Sequence, residues 1–275
     1  TVGSGAAVEI PNTVTSIGIG AFRWDTAITN ATIPSSVTSI GGAAFQICTA
    51  LTSVYIPDSV LEIGDYTFDE CFSLTGITIP TGVTALLEKT FYDCRSLRSV
   101  SLPNGITSIG EGAFSRCNSL TGLTIPNSCN EIEMSAFSGC EALTSIGPVG
   151  SGAAVIIPNS ITNIPIYAFL DCSGLTSVSL PNSITNIDSS SFSNCTSLTN
   201  IVIPNSVTYI GEKSFSGCTN LSSITVLATT PPRLGTYAFS GNASGRKIYV
   251  PSGSLYTYKN ATNWRTYAKS IEPIQ

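Results

Sequence analysis

A proline returns every 23 residues through most of this chain: Pro11, Pro34, Pro57, Pro80, Pro103 and Pro126, then Pro158, Pro181 and Pro204. One interval is longer, the 32 residues between Pro126 and Pro158. A fixed period of this length is the mark of a solenoid, in which each repeat is one coil stacked on its predecessor. Such a body grows by addition and buries its apolar side chains between neighbours. The 275 residues therefore need not divide into separate globular domains.

The rest of each coil keeps step with the proline. Counted from it, position +6 is Ile or Leu (Ile17, Ile40, Ile63, Leu86) and position +11 is Phe without exception (Phe22, Phe45, Phe68 and onward to Phe215). Position +3 is Val or Ile except at Cys129, position −1 is Ile or Leu, and position −6 is Leu in most coils. The segment before the proline, such as Leu51-Thr-Ser-Val-Tyr-Ile56, is β-branched and partly alternating, so its second half predicts a short strand. The proline ends that strand because it has no N–H to continue the ladder. Asn-Ser or a similar pair forms the turn, and Val-Thr-Ser-Ile gives a second extended piece. Gly18, Gly41, Gly64, Gly110 and Gly211 then mark a bend, and the Ala-Phe segment predicts one short helical or 3₁₀ turn.

Composition fits stacked coils. Charged residues make up only 11% of the chain, with a net charge of −5, and Ser, Thr and Asn supply the polar surface. Equivalent residues in adjacent coils lie about 4.8 Å apart, where repeated like charges repel but hydroxyls and amides form ladders. The negative balance argues against nucleic acid as a partner. No apolar run reaches the length of a membrane span. Residue 1 is Thr rather than Met, so the chain reads as trimmed, and the missing signal peptide says little about compartment.

The pattern Leu-x-x-Ile-x-Ile-Pro-x-x-Val-x-x-Ile-Gly-x-x-Ala-Phe-x-x-Cys resembles the BspA-type leucine-rich repeats, from Ile10 to about Ile271. Coil 97–119 matches it closely. The resemblance implies an α/β repeat solenoid: a strand-dominated leucine-rich-repeat right-handed superhelix with short helical or 3₁₀ turns. It also implies a secreted or cell-surface protein of a bacterium. Members of the family are linked to adhesion, so the expected role is interaction with host or extracellular-matrix proteins. A carbohydrate-binding module, with glycans as partners, and a rigid spacer of a larger surface protein are the alternatives.

The expected organisation is a solenoid of about eleven coils over residues 1–250 and a C-terminal cap over 251–275. In the cap, Leu255, Tyr258, Trp264 and Tyr267 share one face of a broken helix and cover the last coil. The carbohydrate-binding alternative makes either Tyr55 or the cluster of Tyr256, Tyr258 and Trp264 its stacking platform. A nine-residue insertion near 146–154 is expected to loop out of the stack. It overlaps Val149-Gly-Ser-Gly-Ala-Ala-Val155, a phrase that also opens the chain at Val2–Val8, so a longer period of 147 residues overlies the short one.

Eight of the nine cysteines share position +14, from Cys48 to Cys218, and the ninth, Cys129, takes the +3 valine site. With no histidine and no Cys-x-x-Cys pair, zinc is not expected. Side chains in such a column point the same way, which works against disulfide geometry, so free buried thiols are expected. Catalytic groups are scarce. There is no Gly-x-Ser-x-Gly elbow, and no Lys-Ser/Thr follows the Gly-Ser-Gly phrases as a phosphate loop requires. The expectation is no enzyme, no cofactor and no metal. Asp65, Glu88 and Glu111 share +8 beside Asp58, Glu62, Asp69 and Glu70. This zone is either a site for a cation or basic partner, or a solvated face compensated by Lys89, Arg95 and Arg98.

The outward row at −2 (Glu9, Thr32, Tyr55, Thr78, Ser101, Thr124 and their successors) should line one surface, roughly 50 Å long at strand spacing. Most of it is Ser and Thr. The expected binding face is Tyr55, Thr78, Arg98, Ser101 and Thr124, with Tyr55 and Arg98 as its energetic anchors.

Overall fold

The computed structural model describes residues 7–146 and 154–275, and over these it is a strand-dominated parallel solenoid. Each coil contributes two short strands. The first lies just before the proline, as in Asn30–Thr32, Ser53–Tyr55 and Gly76–Thr78, and the second ends at +6, as in Ser39–Ile40 and Glu62–Ile63. Pairing is parallel, and the usual register is one repeat: Ala31 faces Val54 and Ile40 faces Ile63. The strands are short because proline closes the first and the +7 residue turns the second.

Inside, the columns anticipated from the period are present. The nine Phe rings at +11 and Phe239 stack with neighbouring centroids 5.0–5.7 Å apart and planes within 16°. Leu51, Leu74 and Leu97 form a second fully buried column, and Ile40, Ile63 and Leu86 a third. All nine cysteines are buried free thiols. The eight at +14 each donate S–H to the carbonyl of the phenylalanine one coil earlier, at 3.0–3.2 Å.

The Ala-Phe segment contains 3₁₀-type bonds without becoming a continuous helix. Ala44 N–H, Gln46 N–H and Cys48 N–H donate three residues back within the coil, to Gly41, Ala43 and Phe45. The alternate donors Ala43 N–H, Phe45 N–H and Ile47 N–H reach the next coil instead, at Asp65 O (2.7 Å), Thr67 O (2.9 Å) and Asp69 O (2.7 Å). Left-handed residues at +9 and +13 produce this alternation, as in Ala43 (φ 54°), Ile47 (φ 62°), Tyr66 (φ 58°) and Glu70 (φ 57°). Each costs roughly 1–2 kcal/mol for an L-residue, offset by a ladder that satisfies every alternate donor.

The glycine at +7 is required by close approach. A Cβ on Gly64 would lie 2.4 Å from Gly42 N, and one on Gly211 2.4 Å from Ser189 N.

Residues 147–153, where the expected loop falls, lie outside the described residues. Their flanks stay in the stack. Ile146 pairs with Val155, a step of nine instead of 23, and Val155 then pairs with Val178. On the opposite side Phe137 stacks directly on Phe169 at 5.4 Å. The long coil therefore inserts one additional strand, Ala154–Ile156, into the strand face without adding a layer to the phenylalanine column.

After Lys247–Val250 the chain forms a 3₁₀ turn (Ser252–Ser254), a short α-helix (Leu255–Asn260), a second 3₁₀ segment (Trp264–Ser270) and a parallel strand (Ile271–Pro273). Tyr258, Trp264 and Tyr267 are buried over the last coil, with Phe239 contacting Trp264 (6.0 Å) and Tyr267 (5.6 Å, edge to face). Tyr258 O–H donates to Ala228 O and Trp264 Nε1–H to Pro232 O, at 2.7 and 2.8 Å. The reading of Tyr256, Tyr258 and Trp264 as a ligand platform is thereby overturned: two of the three rings are core, and only Tyr256 is exposed.

Candidate binding faces

The strands before the prolines place alternate side chains inside and outside, so the −2 residues point away from the core by the two-residue period of a strand. Tyr55, Thr78, Ser101 and Thr124 are all exposed, and Tyr55 keeps 62% of its surface in solvent. Thr32 pairs with Tyr55 and Thr78 with Ser101, which keeps the row in register. Tyr55, Thr78 and Ser101 line a shallow groove together with Ser53, Asp58 and Ser99. Gly76 forms part of its floor, where a Cβ would approach Ser99 Oγ to 3.1 Å. The groove's carboxylate, Asp58, accepts from Thr81 N–H and Oγ1–H at 3.2 and 3.3 Å.

The other two expected residues are exposed but stand apart from this groove. Thr124 belongs to the next coil along, and Arg98 immediately precedes the strand Ser99–Ser101. Arg98 N–H donates to Thr75 O in the preceding coil.

The acidic zone is largely bound up internally. Asp65 Oδ1 accepts from Glu88 N–H (3.0 Å), and Glu133 Oε2 accepts from Glu111 N–H (3.2 Å). Tyr66 O–H donates to Glu88, which holds that carboxyl below its usual range, and Lys89 pairs with Glu88 at 3.4 Å. Arg95 takes Asp93 with two bonds, Nε–H at 2.9 Å and an Nη–H at 2.7 Å. Asp69 is buried, and burial pushes its pKa up although Gln46 donates to it at 2.7 Å. Among the described residues, no group of three or more His, Cys, Asp or Glu is placed to hold a metal ion. None of the described helices is long and apolar enough to cross a membrane.

A second face went unread in the sequence. Lys89 lies over the Tyr66 and Tyr92 rings, at 5.3 and 6.0 Å. Arg116 lies 5.7 Å over Tyr92, and Arg95 4.5 Å over Phe72. All but the Lys89–Tyr92 contact join residues of neighbouring coils. Two of them have a sequence signal in a shared offset, Tyr66 with Lys89 at +9 and Phe72 with Arg95 at +15. Beside them a polar groove of about 740 Å³ runs across five coils.

Short parallel strands in repeat register, a phenylalanine spine and an exposed hydroxyl-rich strand row define a strand-dominated leucine-rich-repeat solenoid. The sequence profile of the BspA type leucine rich repeat region, in six copies, matches residues 15–144 and 151–266, and the chain belongs to that family. A solved leucine rich cell surface protein from Faecalibacterium prausnitzii is similar, with 29% identity and a TM-score of 0.49, over 94% of this chain and 82% of the other. A leucine-rich repeat protein from Bacteroides ovatus shares 27% identity at a TM-score of 0.45, over 95% and 88% of the two chains. No curated protein matches the chain.

Proposed function

We propose that this chain is an adhesive scaffold at a bacterial surface that holds a host or extracellular-matrix protein against its strand face. The observation that carries this reading is the Tyr55 groove. A 62%-exposed tyrosine stands at the edge of a hydroxyl-rich surface held rigid by the ladder beneath it, and the one charged residue in the lining, Asp58, is engaged by Thr81. Rigid aromatic anchors on flat polar surfaces are where interface energy concentrates. Membership of the leucine-rich-repeat class, whose members usually bind proteins, supports the reading. We further infer that 251–275 acts as the cap of a single solenoid extending over 1–250, because its buried rings continue the phenylalanine spine and its polar groups satisfy the last coil.

Immobilised extracellular-matrix proteins titrated with the chain test the proposal. Binding to at least one of them, weakened about tenfold or more by Tyr55→Ala with Arg98→Ala, is expected. Absence of binding across the panel, or binding indifferent to both substitutions, would remove the strand face from consideration.

A further inference from the structure

The polar groove on the turn side has a regular construction. One wall is the +13 row, with Asp93, Arg116, Gly139, Asp171 and Asn194 in successive coils. The other is the +15 row, where Arg95, Asn118 and Glu141 lead to Ser173 and Thr196. The coil steps beneath it, measured between phenylalanine rings, are 5.2–5.5 Å. Some lining groups are already committed: Asp93 to Arg95, Asp171 Oδ1 to Asn194 Nδ2–H (2.8 Å), and the Asn118 amide to the carbonyls of Gly139 (2.9 Å) and Arg116 (2.8 Å). Among the described residues, the Arg116 guanidinium has a ring beneath it at Tyr92 and no carboxylate within ion-pair distance.

Gly139 opens a notch in this wall. The backbone there is left-handed (φ 74°), but Arg116, Asp171 and Asn194 hold the same region at 62°, 59° and 60° with full side chains. A Cβ on Gly139 would meet nothing closer than 3.5 Å. Crowding therefore does not demand glycine here, the left-handed backbone is borne by full side chains elsewhere in the row, and what the glycine hydrogen leaves is open floor between Arg116 and Asp171.

We propose that this groove is a second binding site, for a linear oligosaccharide lying along the stack with about one sugar unit per coil. Leu170 is the only large apolar residue in the lining, so an apolar ligand would desolvate charges and amides without replacing their hydrogen bonds. A sugar brings donors and acceptors on every ring. Carboxylates and amides accept from neighbouring hydroxyls, and Arg116 donates to ring and hydroxyl oxygens or to a sugar carboxylate. A pyranose chain advances by about one coil step per unit, so the repeated rows stay in phase with a repeated ligand.

Calorimetric titration of the whole chain with linear hexasaccharides tests this. Chitohexaose, cellohexaose and maltohexaose form the neutral arm, and hexagalacturonate the carboxylated arm. At least one is expected to bind, about tenfold or more weaker to Arg116→Ala and to Gly139→Asn, and unchanged with Tyr55→Ala. Gly139→Asn puts into the notch the residue that position 194 already carries in the same conformation, so it should fold, its unfolding midpoint lowered by no more than the cost of holding one L-residue left-handed. If no hexasaccharide binds at millimolar concentration, or if the two groove variants bind as the parent does, the proposal fails. Loss of binding only with Tyr55→Ala would also overturn it, by assigning sugar recognition to the strand face.

Discussion

At the residue scale the cysteine column is the most exacting feature. Eight thiols are fully buried, and each donates its S–H to a phenylalanine carbonyl one coil earlier. Burial pushes Cys48 and Cys140 up to about 12 and raises the other core thiols at 71, 94, 117, 172 and 195 as well. An unfolded thiol titrates near 8.5, so above that pH the unfolded chain releases protons that the folded chain retains. The folded state then binds more protons, and stability falls as pH rises from about 8.5 toward 12, while below that window these thiols contribute no pH dependence. Urea midpoints measured between pH 7 and pH 11 should be level at first and then drop steeply, with native thiols unreactive toward a disulfide reagent until unfolding begins. A flat profile through pH 11 would show that the thiols are not held neutral. That a column existed was legible, because eight of the nine cysteines share one offset. That its partner is the preceding phenylalanine carbonyl was not, since the bond joins residues 26 apart on different coils.

At the element scale, what recurs at one offset was readable and what depends on contact between coils was not. Both strands of each coil, their closing proline and the core columns follow from β-branched residues at fixed positions. The left-handed sites at +9 and +13 left only a partial signal, because glycine, the usual marker, stands there at 20, 112, 139 and 217 while residues such as Tyr66, Lys89, Asp93 and Ile47 occupy the others. The glycine at +7 did leave a signal, but its cause is a neighbouring backbone. Gly211→Ala should therefore cost about 1–3 kcal/mol by overpacking against Ser189 N, read as a lower denaturation midpoint at unchanged m-value. The same substitution at Gly18, which has nothing within 4 Å, should be nearly neutral. Equal effects at the two positions would contradict the close-approach account. The insertion was legible as a break in count, but not as an added strand, because only the Ile146–Val155 pairing reveals that.

At the scale of the whole molecule the solenoid presents two unlike surfaces on one continuous core. The strand face is hydroxyl-rich with few charges, has Tyr55 as its exposed anchor, and was visible in the sequence as an outward row. The turn face gathers guanidinium groups, tyrosines and carboxylates from five coils, and only stacking brings them together. Of the expected site, Tyr55, Thr78 and Ser101 share a groove, while Arg98, just before its strand, and Thr124, one coil further along the −2 row, lie outside its lining. The central claim is that protein partners dock on the strand face. Hydrogen–deuterium exchange of the whole chain, with and without a matrix protein it binds, tests this most directly. Slowed exchange confined to peptides covering 53–55, 76–78 and 99–101 is the predicted result. Slowed exchange confined to the turn segments at 93–95, 116–118 and 139–141, with the strand peptides unchanged, would contradict it.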